Sequence, residues 1–177
     1  QESLMNKIGY VSQKAIILTG TIKDNISYGT KNLTDEDIKK AIEIAQGKEF
    51  VENMENTYDS NISRGGTNIS GGQKQRLSIA RAIAKKPEIL IFDDSTSALD
   101  LKTEAELYKA INNSLKDMTI ITIAQRVASV RNADKIIVLN DGEIASMGSH
   151  EELMKTSPIY IDIYNSQLKK DGDEDGR

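Results

Sequence analysis

The densest chemical signal in the chain is Asn68-Ile69-Ser70-Gly71-Gly72-Gln73-Lys74-Gln75-Arg76, which runs directly into a helical pattern. Paired glycines let a backbone approach an anion closely, and the unbonded N–H groups of a helix start point at it. Ser70 and Gln73 add polar side chains to the same patch. The same residues also suit a plain flexible helix entry. A second signal is Ile89-Leu90-Ile91-Phe92-Asp93-Asp94, an apolar strand tipped with two carboxylates. At the C-terminal edge of a parallel sheet, where such sheets take ligands, one carboxylate can hold Mg2+ through water. The next can address an attacking water. Acidic strand ends also simply begin turns.

Gln13 lies upstream of both signals, and Ser95-Thr96-Ser97-Ala98-Leu99-Asp100 follows the second. In this order the set resembles the nucleotide-binding domain of ABC transporters, from about Lys7 to Gln167. Ser70–Gln73 is similar to the family signature motif and Ile89–Asp93 to Walker B. Gln13 is similar to the Q-loop, and Ser97–Asp100 to the D-loop. The segment Gly20-Thr21-Ile22-Lys23-Asp24-Asn25-Ile26 resembles exporter-type members, in which membrane and ATPase parts share one polypeptide.

That resemblance implies ATP and Mg2+ as cofactors. It implies Gln13 and Asp93 at the Mg2+ site, and Asp94 and Gln125 at the catalytic positions. Ser70, Gly71, Gly72 and Gln73 would contact ATP bound to the opposite subunit, and Asp100 would lie at the dimer seam. The implied partners are a second, homologous half-transporter and the transmembrane domains of the same polypeptide. The implied location is the cytoplasmic face of the cell membrane.

Three features depart from the family pattern. No G-x-x-x-x-G-K-[ST] sequence, the phosphate-gripping Walker A loop, occurs in the chain, and only twelve residues precede Gln13. With Gln1 in place of an initiating Met, the sequence reads as an excised piece that alone binds ATP very weakly and does not hydrolyse it. The residue after the Walker B Asp is Asp94, where the family usually has Glu. A carboxylate one methylene shorter sits roughly 1 Å from the useful place, enough to lose orders of magnitude in rate. The switch position, usually His, reads Ala124-Gln125-Arg126. A Gln can hydrogen-bond a γ-phosphate but does not carry a proton as imidazole does.

Both altered residues belong to one ATP site while the signature is intact. The pattern is that of the degenerate half of a heterodimer. Alternatives from other classes are a soluble, non-transport ABC ATPase and a nucleotide-binding regulatory subunit without turnover. The sole His, His150, reads as a surface residue near a helix cap. Arg64, near a position where exporter relatives often place Glu, reads either as a changed partner contact or as a solvated loop charge.

Elements that could position these residues are legible. Ile8–Ser12, Ile89–Phe92, Thr119–Ile123 and Lys135–Leu139 are strand-length apolar runs alternating with helical stretches, the pattern of an α/β domain with a buried parallel sheet. Thr34 is an N-cap ahead of Asp35, Glu36 and Asp37, with Ile38, Ala41, Ile42 and Ala45 at helical spacing. Further helices are expected over Gly72–Lys86, stopped by Pro87, and over Leu101–Leu115. Asn140-Asp141-Gly142 signals a hairpin with Glu143–Met147, and Ser149 with Glu152 a capping box. The expected fold is a P-loop NTPase-type parallel sheet lacking its phosphate-loop strand, with a helical signature subdomain and a C-terminal hairpin and helix. Residues 1–168 would form the C-terminal part of an ATPase domain (14–87 including the helical subdomain), and 169–177 a disordered tail. The missing strand would leave apolar edges uncovered.

The bulk numbers agree. The chain has 177 residues, a formal charge of −4, 38% hydrophobic residues and no Cys. Disulfides and thiolate metal sites are excluded, and mild acidity argues against nucleic acid as a partner. No apolar run approaches the ~20 residues that span a bilayer.

Overall fold

Three of the four expected strands pair in parallel. The computed structural model describes residues 2–174, and side chains within 4–168. It begins with α1 (Glu2–Asn6), β1 (Ile8–Val11), β2 (Gly20–Thr21), α2 (Ile22–Ser27), α3 (Asp35–Ile44) and α4 (Lys48–Glu52). A short 3-10 turn (Thr57–Asp59), β3 (Asn61–Ile62) and a second 3-10 turn (Arg64–Gly66) lead to α5 (Gly71–Ala84). Then come β4 (Ile89–Asp93), α6 (Leu101–Ser114), β5 (Thr119–Ile123), α7 (Val127–Val130), β6 (Ile136–Asn140) and β7 (Glu143–Gly148). Helices α8 (His150–Thr156) and α9 (Pro158–Glu174) complete the described chain.

The parallel sheet has the order β1-β4-β5, with Tyr10 beside Ile91 and Ile91 beside Ile121. The fourth, β6, pairs with β7 in a separate antiparallel hairpin, as Asn140-Asp141-Gly142 predicts. Asp141 (φ 49) and Gly142 (φ 82) form its two-residue turn, the left-handed pair that matches strand twist.

Side-chain alternation divides the parallel sheet into two unlike faces. Val11, Leu90 and Phe92 point one way and are fully buried. They share a core with Ile22, Ile26, Ile38, Ile42, Leu77, Ile79, Leu107 and Ile111. Gly9 is required here, because a Cβ would lie 2.9 Å from Pro87 Cγ and 3.0 Å from the Ala82 carbonyl. On the opposite face Tyr10, Ile121 and Ile123 are 55%, 47% and 53% exposed. The exposure is greatest on the two outer strands, while Ile89 and Ile91 of the central strand are half-buried on that face.

Four helices start with the same reciprocal device. Thr21 with Asp24, Thr34 with Asp37, Ser70 with Gln73 and Ser149 with Glu152 each satisfy the other's backbone N–H. Helix α5 ends at Ala84, two residues before the expected stop, because Lys86 turns left-handed (φ 52) ahead of Pro87.

The described residues up to Ile123 form one compact unit and those from Ala124 onward another. The second is built on Val127, Ile136, Val138, Leu153 and Tyr160. Helix α9 extends to Glu174, so its backbone takes in residues 169–174 of the segment expected to be disordered. Helical bonding can propagate past the last apolar anchor. Residues 175–177 lie outside the described residues.

Candidate functional site

Helix α5 presents the glycine pair at its free end. Ser70 is the N-cap and is exposed, with its Oγ accepting from Gln73 N at 3.2 Å. Gln73 Oε1 in turn accepts from Ser70 N at 2.8 Å. The two polar side chains read from sequence as ligand contacts thus hold each other across the helix entry. The N–H groups of Gly71 and Gly72 fall in the first turn, which has no intrahelical acceptors. A Cβ on Gly71 would meet nothing within 4 Å, and one on Gly72 would come 3.5 Å from the Ala98 carbonyl. The helix entry is therefore open at Gly71, with Gly72 facing the Ser97–Asp100 segment.

Helix α5 is fastened to the segment after β1. Buried Gln75 donates to the Ser12 carbonyl at 3.2 Å. Arg81 donates to the carbonyls of Ile16 and Asn25, at 2.8 and 2.6 Å, and to Asn25 Oδ1 at 3.0 Å. Fully buried Asn25 also accepts from Leu18 N at 2.9 Å and donates to the Leu18 and Thr21 carbonyls, at 2.9 and 3.0 Å. Burial lowers the Arg81 pKa from its ordinary value. Sequence reasoning did not single out this network. Its accessible signal was the T-x-x-D pattern at Thr21–Asp24, which starts α2 and sets Asn25 inward.

The acidic pair ends β4 and meets residues of β1 and its exit. Tyr10 Oη donates to Asp93 Oδ2 at 2.6 Å. Gln13 Nε2 donates to Asp94 Oδ2 at 2.8 Å. Gln13 and Asp93, expected together at one site, are each bonded to a different partner. The hydrogen bond to Asp93, with burial and the carboxylate's charge behind it, raises the Tyr10 pKa. Asp94 adopts φ 46, the left-handed region that Asp tolerates better than most residues. Its N–H donates to the Ile123 carbonyl at 2.8 Å, and its carbonyl accepts from Ser97 Oγ at 2.8 Å.

Asp100 is the N-cap of α6, accepting from Thr103 N at 2.9 Å and Thr103 Oγ1 at 2.7 Å. Its pKa is lowered, first by the backbone hydrogen bond from Thr103 and then by the side-chain one. Gln125 lies in the bend between β5 and α7, where its carbonyl accepts from Gln167 Nε2 at 2.8 Å. Arg64 is exposed at the start of its 3-10 turn.

His150, expected as a surface residue near a helix cap, directly follows the N-cap Ser149. It is the first residue of α8, half-buried, with Nδ1 2.8 Å from Tyr160 Oη. The Tyr160 and Tyr164 rings lie 5.7 and 5.6 Å from its own.

The donor set fits a hard cation that keeps most of its own water. Asp93 and Gln13 offer oxygen ligands, and among the described residues no cluster of three or more His, Cys, Asp or Glu could hold a metal alone. Mg2+ suits such a partial site because it commonly takes one or two carboxylates plus phosphate oxygens and water. Two concavities flank α5, of about 460 and 400 Å³. The larger includes Gln13, Gly71, Lys74, Gln75 and Ala98; neither includes Asp93 or Asp94.

Known proteins are similar to this chain in sequence and in fold. The family profile described as "ABC transporter" matches residues 1–97. The "Uncharacterized ABC transporter ATP-binding protein YfiB" of Bacillus subtilis is 46% identical over 173 residues, covering 98% of this chain and 30% of the relative. An "ATP-dependent lipid A-core flippase" of Desulfotalea psychrophila is 42% identical, covering 93% of this chain and 29% of the relative. The solved structure of a bacterial Atm1-family ABC exporter with ATP bound superposes with a TM-score of 0.89 at 34% identity. That match covers 94% of this chain and 30% of the exporter chain. The chain thus spans about 30% of the length of these two relatives. Among the described residues no helix is long and apolar enough to cross a membrane.

Proposed function

The chain belongs to the ABC transporter family, and from that premise we propose that it is part of the ATP-hydrolysing machinery of an exporter, serving a partner's ATP site better than its own. The observation that carries the reading is the open, glycine-paired entry of α5 combined with a shortened carboxylate at Asp94. When bound, ATP with Mg2+ supplies the phosphoryl group and the charge-neutralising cation. Asp93 and Gln13 would hold that cation, Asp93 through its waters. Asp94 would accept a hydrogen bond from the attacking water, and Gln125 would face the terminal phosphate.

Ser70, Gly71, Gly72 and Gln73 would donate to the phosphates of a nucleotide held by a second, homologous subunit. First-turn N–H groups and the helix dipole favour an anion there. Asp100 would lie along the seam between the two. The membrane domains of the same polypeptide would place this part on the cytoplasmic face, where hydrolysis drives substrate export.

The degenerate-site element rests on Asp94 and Gln125 together. Introducing Asp94→Glu with Gln125→His in the full-length protein is expected to raise turnover at this subunit's own site, measured by single-turnover hydrolysis. Unchanged turnover with intact nucleotide binding contradicts it. A regulatory half that binds nucleotide without turnover is the second reading, favoured by the Gln13–Asp94 bond that engages one Asp94 oxygen. Zero hydrolysis at this site, both before and after the double substitution, supports that alternative.

A further inference from the structure

We infer that Tyr10 is a positioning residue for the metal-site carboxylate, its phenol hydroxyl fixing Asp93 through Oδ2 and leaving Oδ1 for a cation's water. The inference deepens the reading of Asp93 given above and rests on it. Strand register carries it. Tyr10 pairs with Ile91 across β1 and β4, so Asp93, two residues further, is its diagonal neighbour on the same sheet face. Aromatic side chains span such diagonals. The 2.6 Å contact from Tyr10 Oη to Asp93 Oδ2 is the length of a charge-assisted O–H···O⁻ bond.

An ionised carboxylate has about four acceptor positions, and the phenol takes one of them. Around Asp93 that face is apolar, with Ile91, Ile121 and Ile123 as neighbours in the register; its other hydroxyl, Thr119, sits opposite Ile89, four residues back along β4, so Tyr10 is the hydroxyl donor of β1, β4 and β5 nearest Asp93 by register. A carboxylate torsion held in advance loses less freedom when a cation arrives. Tyr10 would thus act on the metal site through Asp93, touching neither cation nor nucleotide.

The test uses the full-length transporter and Mn2+ as probe, titrated by electron paramagnetic resonance with AMP-PNP saturating. Tyr10→Phe keeps the ring and removes the hydroxyl. It is expected to weaken Mn2+ binding by about tenfold, the low end for loss of a hydrogen bond to a metal ligand. AMP-PNP affinity in EDTA should stay unchanged. Equal Mn2+ affinity in Tyr10→Phe and the parent overturns the inference. So does weakening by Tyr10→Leu but not by Tyr10→Phe, since shape and not the hydroxyl would then matter. Asp93→Asn separates the two levels. If it too leaves Mn2+ binding unchanged, the assignment of Asp93 falls; if it alone abolishes binding, only the role of Tyr10 falls.

Discussion

The entry of α5 and the tips of β1 and β4 hold the residues of the proposed chemistry, yet the fold supports them differently. Helix α5 is buried along Leu77, Ile79 and Ala80, tied to the segment after β1 by Gln75 and Arg81, and closed by its own Ser70–Gln73 box. The carboxylates Asp93 and Asp94 stand at the end of a sheet with one face packed and the other partly exposed. Everything the glycine entry needs to hold its shape is in this chain. The acidic end takes hydrogen bonds from Tyr10 and Gln13 and is half-buried, beside sheet-face residues that are largely exposed.

The sharpest way to break that contrast is to truncate one side chain from each sheet face. Leu90→Ala, on the packed face, is expected to cost about 2–5 kcal/mol in urea unfolding of the 177-residue chain. Ile121→Ala, on the open face, should cost under about 1 kcal/mol. Similar losses would mean that the open face is covered in solution. Next in size is Asn25→Ala, which strands the Leu18 N–H and part of the Arg81 fork. A loss of about 3 kcal/mol is expected, from several buried groups left without partners. A loss below about 1 kcal/mol would show that α5 is not held by this network.

Ser70→Ala removes the reciprocal cap and should cost about 1 kcal/mol, again read by urea unfolding. No loss would mean the entry is not self-supporting. The smallest effect is expected from pH. Asp37 is lowered from 3.8 to about 2, first by its hydrogen bond from Lys86 and then by those from Thr34. A depressed carboxylate stabilises the fold above its unfolded value, and that contribution fades as pH falls from about 4 through about 2. Asp37→Asn should flatten the unfolding midpoint in that window and leave its pH dependence above about 5 unchanged.

Much of this was legible because its causes are local. Thr34 and Ser149 announce their helices through nearby side chains, and Asp141-Gly142 announces a turn through backbone freedom. The order of Gln13, the glycine pair and the acidic strand tip identified the family, which the comparisons bear out. Less visible were features that depend on register between distant segments. Tyr10 meets Asp93 only because β1 and β4 align as they do, and no spacing along the chain encodes that. The mutual capping of Ser70 and Gln73 was legible as S-x-x-Q, but reading them as ligand contacts obscured it. The hairpin of β6 with β7 was legible in Asn140-Asp141-Gly142, whereas composition alone did not separate β6 from the strands of the parallel sheet.

The central claim is that this chain's α5 entry completes an ATP site on another subunit. Its most direct test is single-turnover hydrolysis at the partner's site in the full-length transporter carrying Gly72→Asp. The account predicts a fall of about 100-fold or more, the scale of losing oriented N–H donors at a transition state. A partner site that hydrolyses at its normal rate would contradict it.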